Sequence, residues 1–448
     1  MKITIVRSGY LGLSKAVLIS KNFIKSNIGF SYTGQMFVIA ASIIQMLLIN
    51  IYLGLDKYGI LVTLISMFTL MSQITHFKTK EVATRFLVTE IKRKSSSQVH
   101  ILKLGVILDA SSLLIMLAVS YFLIPEIINI LKFDFKNFEF IMTFALYFGI
   151  NLFQNTFIGY FQAYKKFYII NSLLILQSVL LIASMCISII LFKFNLMHVI
   201  NSLLLASSGT TLIYGILVYL NVRQKELSVN DDKGMITRSC FSLGFKLYLA
   251  GFAKMGYVNF ENPILLYFTS FEIVGLYQTI KKVFIPIAFI IHPYGMLTAS
   301  NMINYFDSNK KTELHDLILR NSKYLIFASI PIYMFIFGLT EYYLNLQLVD
   351  IDYLNGDLYN ILWVLAIYSF LPLISWWSGN FIILYKPIIT IYTNLTASIT
   401  NIAFPLIAMT SGGYNTLYYF VLSLLVARIP TWAVSFIMYF RYRSEANK

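Results

Sequence analysis

Charged residues are scarce in this sequence. Only 12% of its 448 residues are Asp, Glu, Lys or Arg, whereas 58% are hydrophobic. A soluble domain is about one quarter charged and about one half apolar. A soluble fold offers too little interior for this much apolar material. The composition therefore predicts an all-α integral membrane protein that uses lipid as its solvent.

Cysteine and histidine are also scarce, which excludes several kinds of site. The two cysteines, Cys186 and Cys240, stand in separate apolar segments, and the five histidines are scattered. This pattern supports neither a disulfide framework nor a Cys/His zinc motif. The sequence also has no phosphate-cradling glycine loop and no Ser/His/Asp constellation. We therefore expect a protein that is not an enzyme and needs no cofactor.

Long apolar runs, in contrast, are abundant. Twelve of them are candidate transmembrane helices. They lie at about 28–51, 58–75, 104–124, 138–160, 168–191, 197–220, 243–268, 273–299, 324–341, 358–384, 387–409 and 416–440. The polar stretch 221–245 separates two sets of six. This predicts an N-terminal lobe, residues 1–222, and a C-terminal lobe, residues 223–448.

The distribution of basic residues orients these spans. With the N-terminus in the cytoplasm, 27 of the 35 Lys and Arg residues fall on the cytoplasmic side, four on the opposite side and four inside spans. Loops rich in Lys and Arg stay in the cytoplasm. We therefore predict a multi-pass protein with both termini cytoplasmic. The same asymmetry accounts for the net charge of +15 without nucleic acid as a partner.

A short repeat links the two sets of spans. Asp56, Gly59 and Thr63 recur at the same spacing as Glu272, Gly275 and Thr279, each time at a short external turn between the first two spans of a set. Six spans per lobe give both lobes the same orientation. The pattern predicts a pseudo-twofold axis along the membrane normal and a central cavity between the lobes.

Four cations lie near mid-membrane depth: Lys254, Lys281, Lys282 and Arg428. Facing lipid, each would cost about 2.5–3.5 kcal/mol, so we expect them to face an interior. Only two acids, Asp109 and Glu261, are buried with them. The surplus of positive charge favours an anionic ligand such as a pyrophosphate. Structural pairing is the alternative, for example between Lys254 and Glu261 on one helix face.

Polar side chains accompany these charges. Gln278 shares a helix face with Lys281, and Gln35 belongs to a polar stripe on the first span; both are predicted to line a wet cavity. Asp109 and Glu261 have two interpretations. Each is either a structural partner of a cation or hydroxyl, or a site that couples transport to an ion gradient.

Three stretches carry a family resemblance: "YLGLDKYGILVTL", "FIGYFQAYKKF" and "SFEIVGLYQTIKKVFIPIAFIIHPYGM". With the two six-helix lobes, they resemble the polysaccharide flippases of the multidrug/oligosaccharidyl-lipid/polysaccharide exporter superfamily, and most of all Wzx-type O-antigen translocases. The resemblance covers roughly 28–440. It implies about 12 transmembrane helices in a MATE-like arrangement around a central cavity.

The resemblance also implies a function. Such proteins move an undecaprenyl-pyrophosphate-linked oligosaccharide, here an O-antigen repeat unit of lipopolysaccharide, from the cytoplasmic to the periplasmic leaflet of a bacterial inner membrane. Lys254, Lys281, Lys282 and Arg428 would supply the cations of the cavity. A polysaccharide polymerase, a chain-length regulator, membrane lipids and a proton or sodium gradient are the implied partners. The first lobe departs from a shared cation cage, because its spans 1, 2 and 4–6 carry polar stripes and no buried charge.

Two other functions fit the same spans less well. A drug or cation exporter of the same superfamily would favour acids in its cavity, and this chain places more cations there. A membrane polysaccharide polymerase would need a large external loop with cationic residues. The longest external loop, "EYYLNLQLVDIDYLNGD", has 17 residues and no Lys or Arg.

Overall fold

The computed structural model describes most of the chain. The described residues are 27–93, 97–130, 138–223, 233–253, 260–284, 310–345, 357–378, 387–411 and 416–444, with isolated positions between 286 and 308 and residue 381. Thirteen α-helices account for nearly all of them, and these residues include no β-strand. The predicted all-α class is therefore confirmed.

The helices follow one another along the chain. In order, α1 to α13 are Asn27–Thr75, Thr79–Arg93, Ser97–Ile130, Phe138–Ala163, Phe167–Leu191, Leu196–Arg223, Lys233–Ala253, Glu261–Phe268, Phe271–Val283, Lys311–Asn345, Asp357–Ile374, Pro387–Ser411 and Thr416–Ser444. Within the described ranges, six helices are long and apolar enough to cross a membrane: α1, α3, α4, α5, α6 and α13.

Helix α1 joins the first two predicted spans. The sequence predicts a break at about 52–57, and the structure confirms it, because the backbone of Gly54 is not helical (φ 85°, ψ 167°) and divides α1 into two helical segments. Such a positive φ is readily adopted only by glycine. The chain therefore turns beside the repeat motif at one non-helical residue, without a longer loop.

Helix α2 lies in a segment that we expected to be a loop, 76–103. Its mixed composition, "TKEVATRFLVTEIKR", gives it one apolar face. Gly159 of α4 lets this face approach closely, since a Cβ there would lie 2.7 Å from the Lys80 carbonyl oxygen. Thr84 donates a hydrogen bond to the Gly159 carbonyl. The "FIGYFQAYKKF" motif thus provides the docking surface for α2.

Two groups of helices pack around an apolar core that contains residues of both. In the first half, α4 contacts α2, α3 and α6, while α1 packs against α5. In the second half, α13 packs against α11 and α12, and α8 contacts α12. Aromatic side chains fill both groups, as in the stack of Phe68 on Phe148 and the contact of Trp377 with Tyr439.

Candidate functional site

The two copies of the repeat motif meet each other. A Cβ on Gly59 would lie 1.8 Å from the Phe271 carbonyl oxygen, and a Cβ on Gly275 would lie 2.2 Å from the Leu55 carbonyl oxygen. Leu55 and Phe271 hold the same position in their repeats, as do the two glycines. The contact between α1 and α9 is therefore reciprocal, as expected where a pseudo-twofold axis passes.

Polar bonds continue this contact, which we call the α1–α9 seam: Asn50, Gly59, Gly275 and Thr279. Asn50 donates to the Thr279 hydroxyl over 3.0 Å. Beside the seam, Asn262 of α8 donates to the Ser66 hydroxyl over 2.7 Å and to the Val62 carbonyl over 3.2 Å. These bonds join α8 and α9 to α1 at the predicted external half of the membrane.

Glu261 and Lys281 form an ion pair at this depth. Lys281 contacts one carboxylate oxygen of Glu261, and the Tyr277 hydroxyl donates to the other over 2.9 Å. The carboxylate and the ammonium are 14% and 27% exposed, so the pair is shielded from solvent. The pair accounts for one of the four cations predicted at mid-membrane depth, because Glu261 neutralises Lys281. Lys254, the partner considered from the sequence, lies outside the described residues.

Arg428 completes a charged cluster of five residues: Glu261, Tyr277, Lys281, Tyr368 and Arg428. Its guanidinium lies 4.2 Å from the centroid of the Tyr368 ring and donates to the Tyr368 hydroxyl. Tyr368 lies within electrostatic range of Glu261 and Tyr277, and Arg428 within range of Tyr277. The cluster therefore joins α8, α9, α11 and α13 and carries a formal charge of +1.

Lys282 points away from the charged cluster. Adjacent helical residues are separated by about 100° around the axis. Its ammonium therefore reaches α1, where it donates to the Ser42 carbonyl over 3.2 Å and lies 5.5 Å from the centroid of the Tyr58 ring. Among the described residues, Lys282 has no carboxylate within ion-pair distance. Two consecutive lysines thus have different surroundings.

The two predicted glutamines lie apart. Gln278 donates to the Asn262 side-chain oxygen over 2.5 Å, close to the seam. Gln35 is exposed on α1 and stands outside the charged cluster. Of the predicted binding residues, the structure thus brings Lys281 and Arg428 into one cluster, places Lys282 and Gln278 beside it, and leaves Gln35 separate.

Asp109 lies in a different part of the molecule. It is fully buried in α3 and accepts hydrogen bonds from the Thr79 hydroxyl over 2.5 Å and from the Thr156 hydroxyl over 2.6 Å. The Thr156 backbone N–H donates to it as well, over 3.3 Å. The carboxylate therefore connects α2, α3 and α4, at the predicted cytoplasmic end of the first lobe.

His76 extends this network. Its Nε2 lies 3.2 Å from the Thr79 hydroxyl oxygen. Since Thr79 donates its one proton to Asp109, its oxygen accepts from His76, which places the imidazole proton on Nε2. Burial, with Lys78 and Lys80 nearby, lowers the pKa of His76 to about 3. His76 is therefore neutral, and sequence analysis alone did not identify it.

A second group that sequence analysis missed lies where α1 turns into α2. Phe77 packs against α7, where a Cβ on Gly244 would lie 2.2 Å from its ring. Lys78 has φ 55° and covers Gly251, which is seven residues, or about two turns, further along α7. The sequence does contain a signal for this contact, because Gly244 and Gly251 lie on one face of α7 and leave room for a close neighbour. This contact connects the α1–α2 turn with the start of the second half.

Neutral polar residues occupy the interior of the first half. Gln154 of α4 donates to the Thr210 and Thr211 hydroxyls over 3.2 and 2.9 Å, and Gln177 of α5 donates to Ser207 over 3.0 Å. These bonds join α4, α5 and α6. The polar stripe on span 4 predicted this network only in part, since helix spacing does not identify partners on other helices.

The fold is similar to that of MATE transporters of known structure. An inward-facing multidrug resistance MATE transporter of the MOP superfamily matches with a TM-score of 0.73 and 13% identity over 91% of this chain and 94% of that one. The DinF-BH multidrug transporter matches with a TM-score of 0.68 and 13% identity over 94% of this chain and 96% of that one. An outward-facing multidrug resistance MATE transporter of the MOP superfamily matches with a TM-score of 0.63 and 14% identity over 95% of this chain and 98% of that one. The predicted MATE-like architecture is confirmed.

The sequence identifies the family. A profile described as "Polysaccharide biosynthesis protein" matches residues 24–300, more than half of the chain. No curated protein matches the sequence. The chain belongs to this polysaccharide biosynthesis family, within the flippase and exporter superfamily that the resemblance indicated. It is a multi-pass membrane protein of a transporter class.

Proposed function

We propose that this protein is a flippase for an undecaprenyl-pyrophosphate-linked oligosaccharide. It moves the head group from the cytoplasmic to the periplasmic leaflet of a bacterial inner membrane, with both termini in the cytoplasm. The family match and the MATE-like fold support transport of a polysaccharide intermediate. An O-antigen repeat unit is the proposed cargo, and a polymerase with its chain-length regulator would take up the product.

One observation carries this proposal: Lys282 has no carboxylate partner among the described residues and lies where α9 faces α1. A buried ammonium needs compensation. A pyrophosphate that binds between the lobes would supply it, and Arg428 would contribute a second charge from the neighbouring cluster. Lysine suits a transporter that must release its ligand, because it is a point charge and not a bidentate fork.

The α1–α9 seam supports alternating access. In our proposal, the close contact of Gly59 with Gly275 holds the predicted external end closed, and the cargo enters from the cytoplasmic side. The higher TM-score to the inward-facing MATE transporter agrees with this assignment. In our proposal, the head group enters from the cytoplasm, and separation of the seam releases it outside.

A drug or cation exporter is the second candidate, favoured by the multidrug MATE transporters of similar fold. A cationic cargo needs an available carboxylate. Within the described parts of the chain, Glu261 is neutralised by Lys281, and Asp109 is enclosed by three donors. Both acids serve internal contacts here, which is why we place this candidate second. Ion coupling through Asp109 or Glu261 stays a prediction.

Deletion of the gene in its own host tests the proposal. We expect loss of surface polysaccharide and accumulation of the lipid-linked oligosaccharide in the cytoplasmic leaflet, with both effects reversed by the wild-type gene. Extracted lipid-linked sugars are quantified by mass spectrometry. Unchanged polysaccharide together with greater sensitivity to cationic drugs would instead identify an exporter.

A further inference from the structure

A groove on the outside of the first half has no role in the proposed transport. Helices α3 and α6 both pack against α4 and leave a groove of about 380 Å³ between them. Its floor is Phe157 of α4 beside Gly215 of α6, where the nearest ring atom is 3.7 Å from a Cβ position. Apart from Lys103, apolar residues and Tyr219 line it.

One end of the groove carries polar groups, whereas the rest is apolar. Lys103 and Tyr219 are exposed at the end toward the predicted cytoplasmic surface, while Ile107 and Gly215 lie deeper. Gly215 is eight residues from Arg223, the last residue of α6, or about 12 Å into the membrane. A basic residue and a tyrosine at head-group depth above an apolar slot match the two parts of a phospholipid.

We propose that this groove binds one anionic phospholipid of the cytoplasmic leaflet. One acyl chain lies along Phe157 and Gly215, and the phosphate lies against Lys103. Apolar contact alone cannot select this lipid, because bulk lipid tails are equally apolar. Selection therefore depends on the shape that Gly215 opens and on the charge of Lys103.

The position of the groove argues for a phospholipid and against the prenyl tail of a cargo. All its lining residues belong to α3, α4 and α6, and none comes from α7 to α13. A prenyl tail attached to a head group in the central cavity must pass between the two halves of the molecule. The proposed lipid is therefore a resident partner, and its site does not depend on the flippase proposal.

Two variants test the site in the purified full-length protein in nanodiscs. Gly215→Leu fills the floor of the groove, and Lys103→Ala removes the charge. Gly209→Leu is the control on the same helix, where the nearest side-chain atom is at a comparable 3.8 Å. Lys246→Ala is the control for charge, as an exposed lysine of α7. The melting temperature is measured in phosphatidylcholine discs with added phosphatidylglycerol or undecaprenyl phosphate. The lipid that stays bound to the protein is measured by native mass spectrometry.

We expect phosphatidylglycerol to raise the melting temperature of wild type and both controls, with about fivefold preference over phosphatidylcholine. Gly215→Leu should lose the retained lipid, and Lys103→Ala should lose the preference. Equal effects of the two phospholipids, or Gly215→Leu behaving like Gly209→Leu, would overturn the proposal. Stabilisation by undecaprenyl phosphate alone would also overturn it and assign the groove to a prenyl chain. If Gly215→Leu fails to fold, Lys103→Ala decides the result.

Discussion

At the scale of single residues, the most informative feature is the different surroundings of Lys281 and Lys282. Lys281 neutralises Glu261, whereas Lys282 donates to a backbone carbonyl of α1. The first lysine has a structural partner inside its own half of the molecule. We propose that the second binds an anion between the halves. Mutation should therefore separate stability from transport.

We expect Lys281→Met to lower stability, because it leaves the Glu261 carboxylate without its cation. Loss of one partner of a shielded pair costs about 3 kcal/mol. Adding Glu261→Gln should restore most of the melting temperature, since the pair is then neutral. Thermal unfolding of the single and double variants in detergent measures this. A double variant no more stable than Lys281→Met would contradict the pairing.

Lys282→Met should have the opposite profile. It removes a bond to a neutral carbonyl, worth about 1 kcal/mol, so the melting temperature should change little. Transport of the lipid-linked oligosaccharide should fall at least tenfold, because the cation that faces the pyrophosphate is gone. Lys282→Arg, which keeps the charge, is the matched control. Full transport by Lys282→Met at equal membrane levels would remove Lys282 from the site.

His76 predicts a pH dependence of stability. Its pKa is about 3 in the folded protein and 6.5 when unfolded, so only the unfolded chain takes up the proton between these values. The free energy of unfolding should therefore fall as pH drops below about 6.5, by up to ~1.4 kcal/mol per pH unit. Melting curves from pH 8 to pH 5 measure this slope. His76→Gln should reduce it, and a slope unchanged in this variant would contradict the assignment to His76.

At the scale of elements, close helix contacts depend on glycine. The carbonyls of Phe271 and Leu55 occupy the space that a side chain on Gly59 or Gly275 would need. Both clashing atoms belong to the backbone, so a helix must move to relieve the clash. The same principle docks α2 on Gly159 and the α1–α2 turn on Gly244. The packing thus requires small residues at specific positions, as expected for helices in lipid.

Gly59→Ala and Gly275→Ala should each weaken the α1–α9 seam. We expect a loss of about 2 kcal/mol in unfolding free energy, the usual effect of overpacking. A cysteine introduced at Asn50 should then react faster with a thiol reagent added from outside. Gly338→Ala is the control, since no atom lies within 4 Å of its Cβ position. Unchanged labelling and melting in both seam variants would show that the glycines are not in contact.

At the scale of the whole molecule, the sequence predicted the architecture better than the site. Apolar runs predicted the all-α membrane class and the helices long enough to cross a membrane, because these depend on local composition. The pseudo-twofold axis stays a prediction, which the reciprocal contact of Gly59 and Gly275 supports. The break between the first two spans was predicted, but its restriction to Gly54 was not, since a glycine in an apolar run is also compatible with a longer loop. Helix α2 was missed because its charged residues matched the expected composition of a cytoplasmic loop.

The partners of the buried charges were harder to predict. Helix spacing gives the face of a residue but not the helix that this face meets. Lys254 and Glu261 share a face in sequence, yet the structure pairs Glu261 with Lys281. Asp109 was expected to have a hydroxyl or cation partner, and its donors, Thr79 and Thr156, come from two other helices. Such partners depend on tertiary packing.

One measurement tests the central claim most directly. Purified protein is reconstituted into liposomes that contain an undecaprenyl-pyrophosphate-linked oligosaccharide in both leaflets, and a membrane-impermeant oxidant is added outside. The flippase account predicts that wild type exposes the inner-leaflet sugar to the oxidant, while Lys282→Met and empty liposomes expose only the outer half. Wild-type liposomes that behave like empty ones would contradict it.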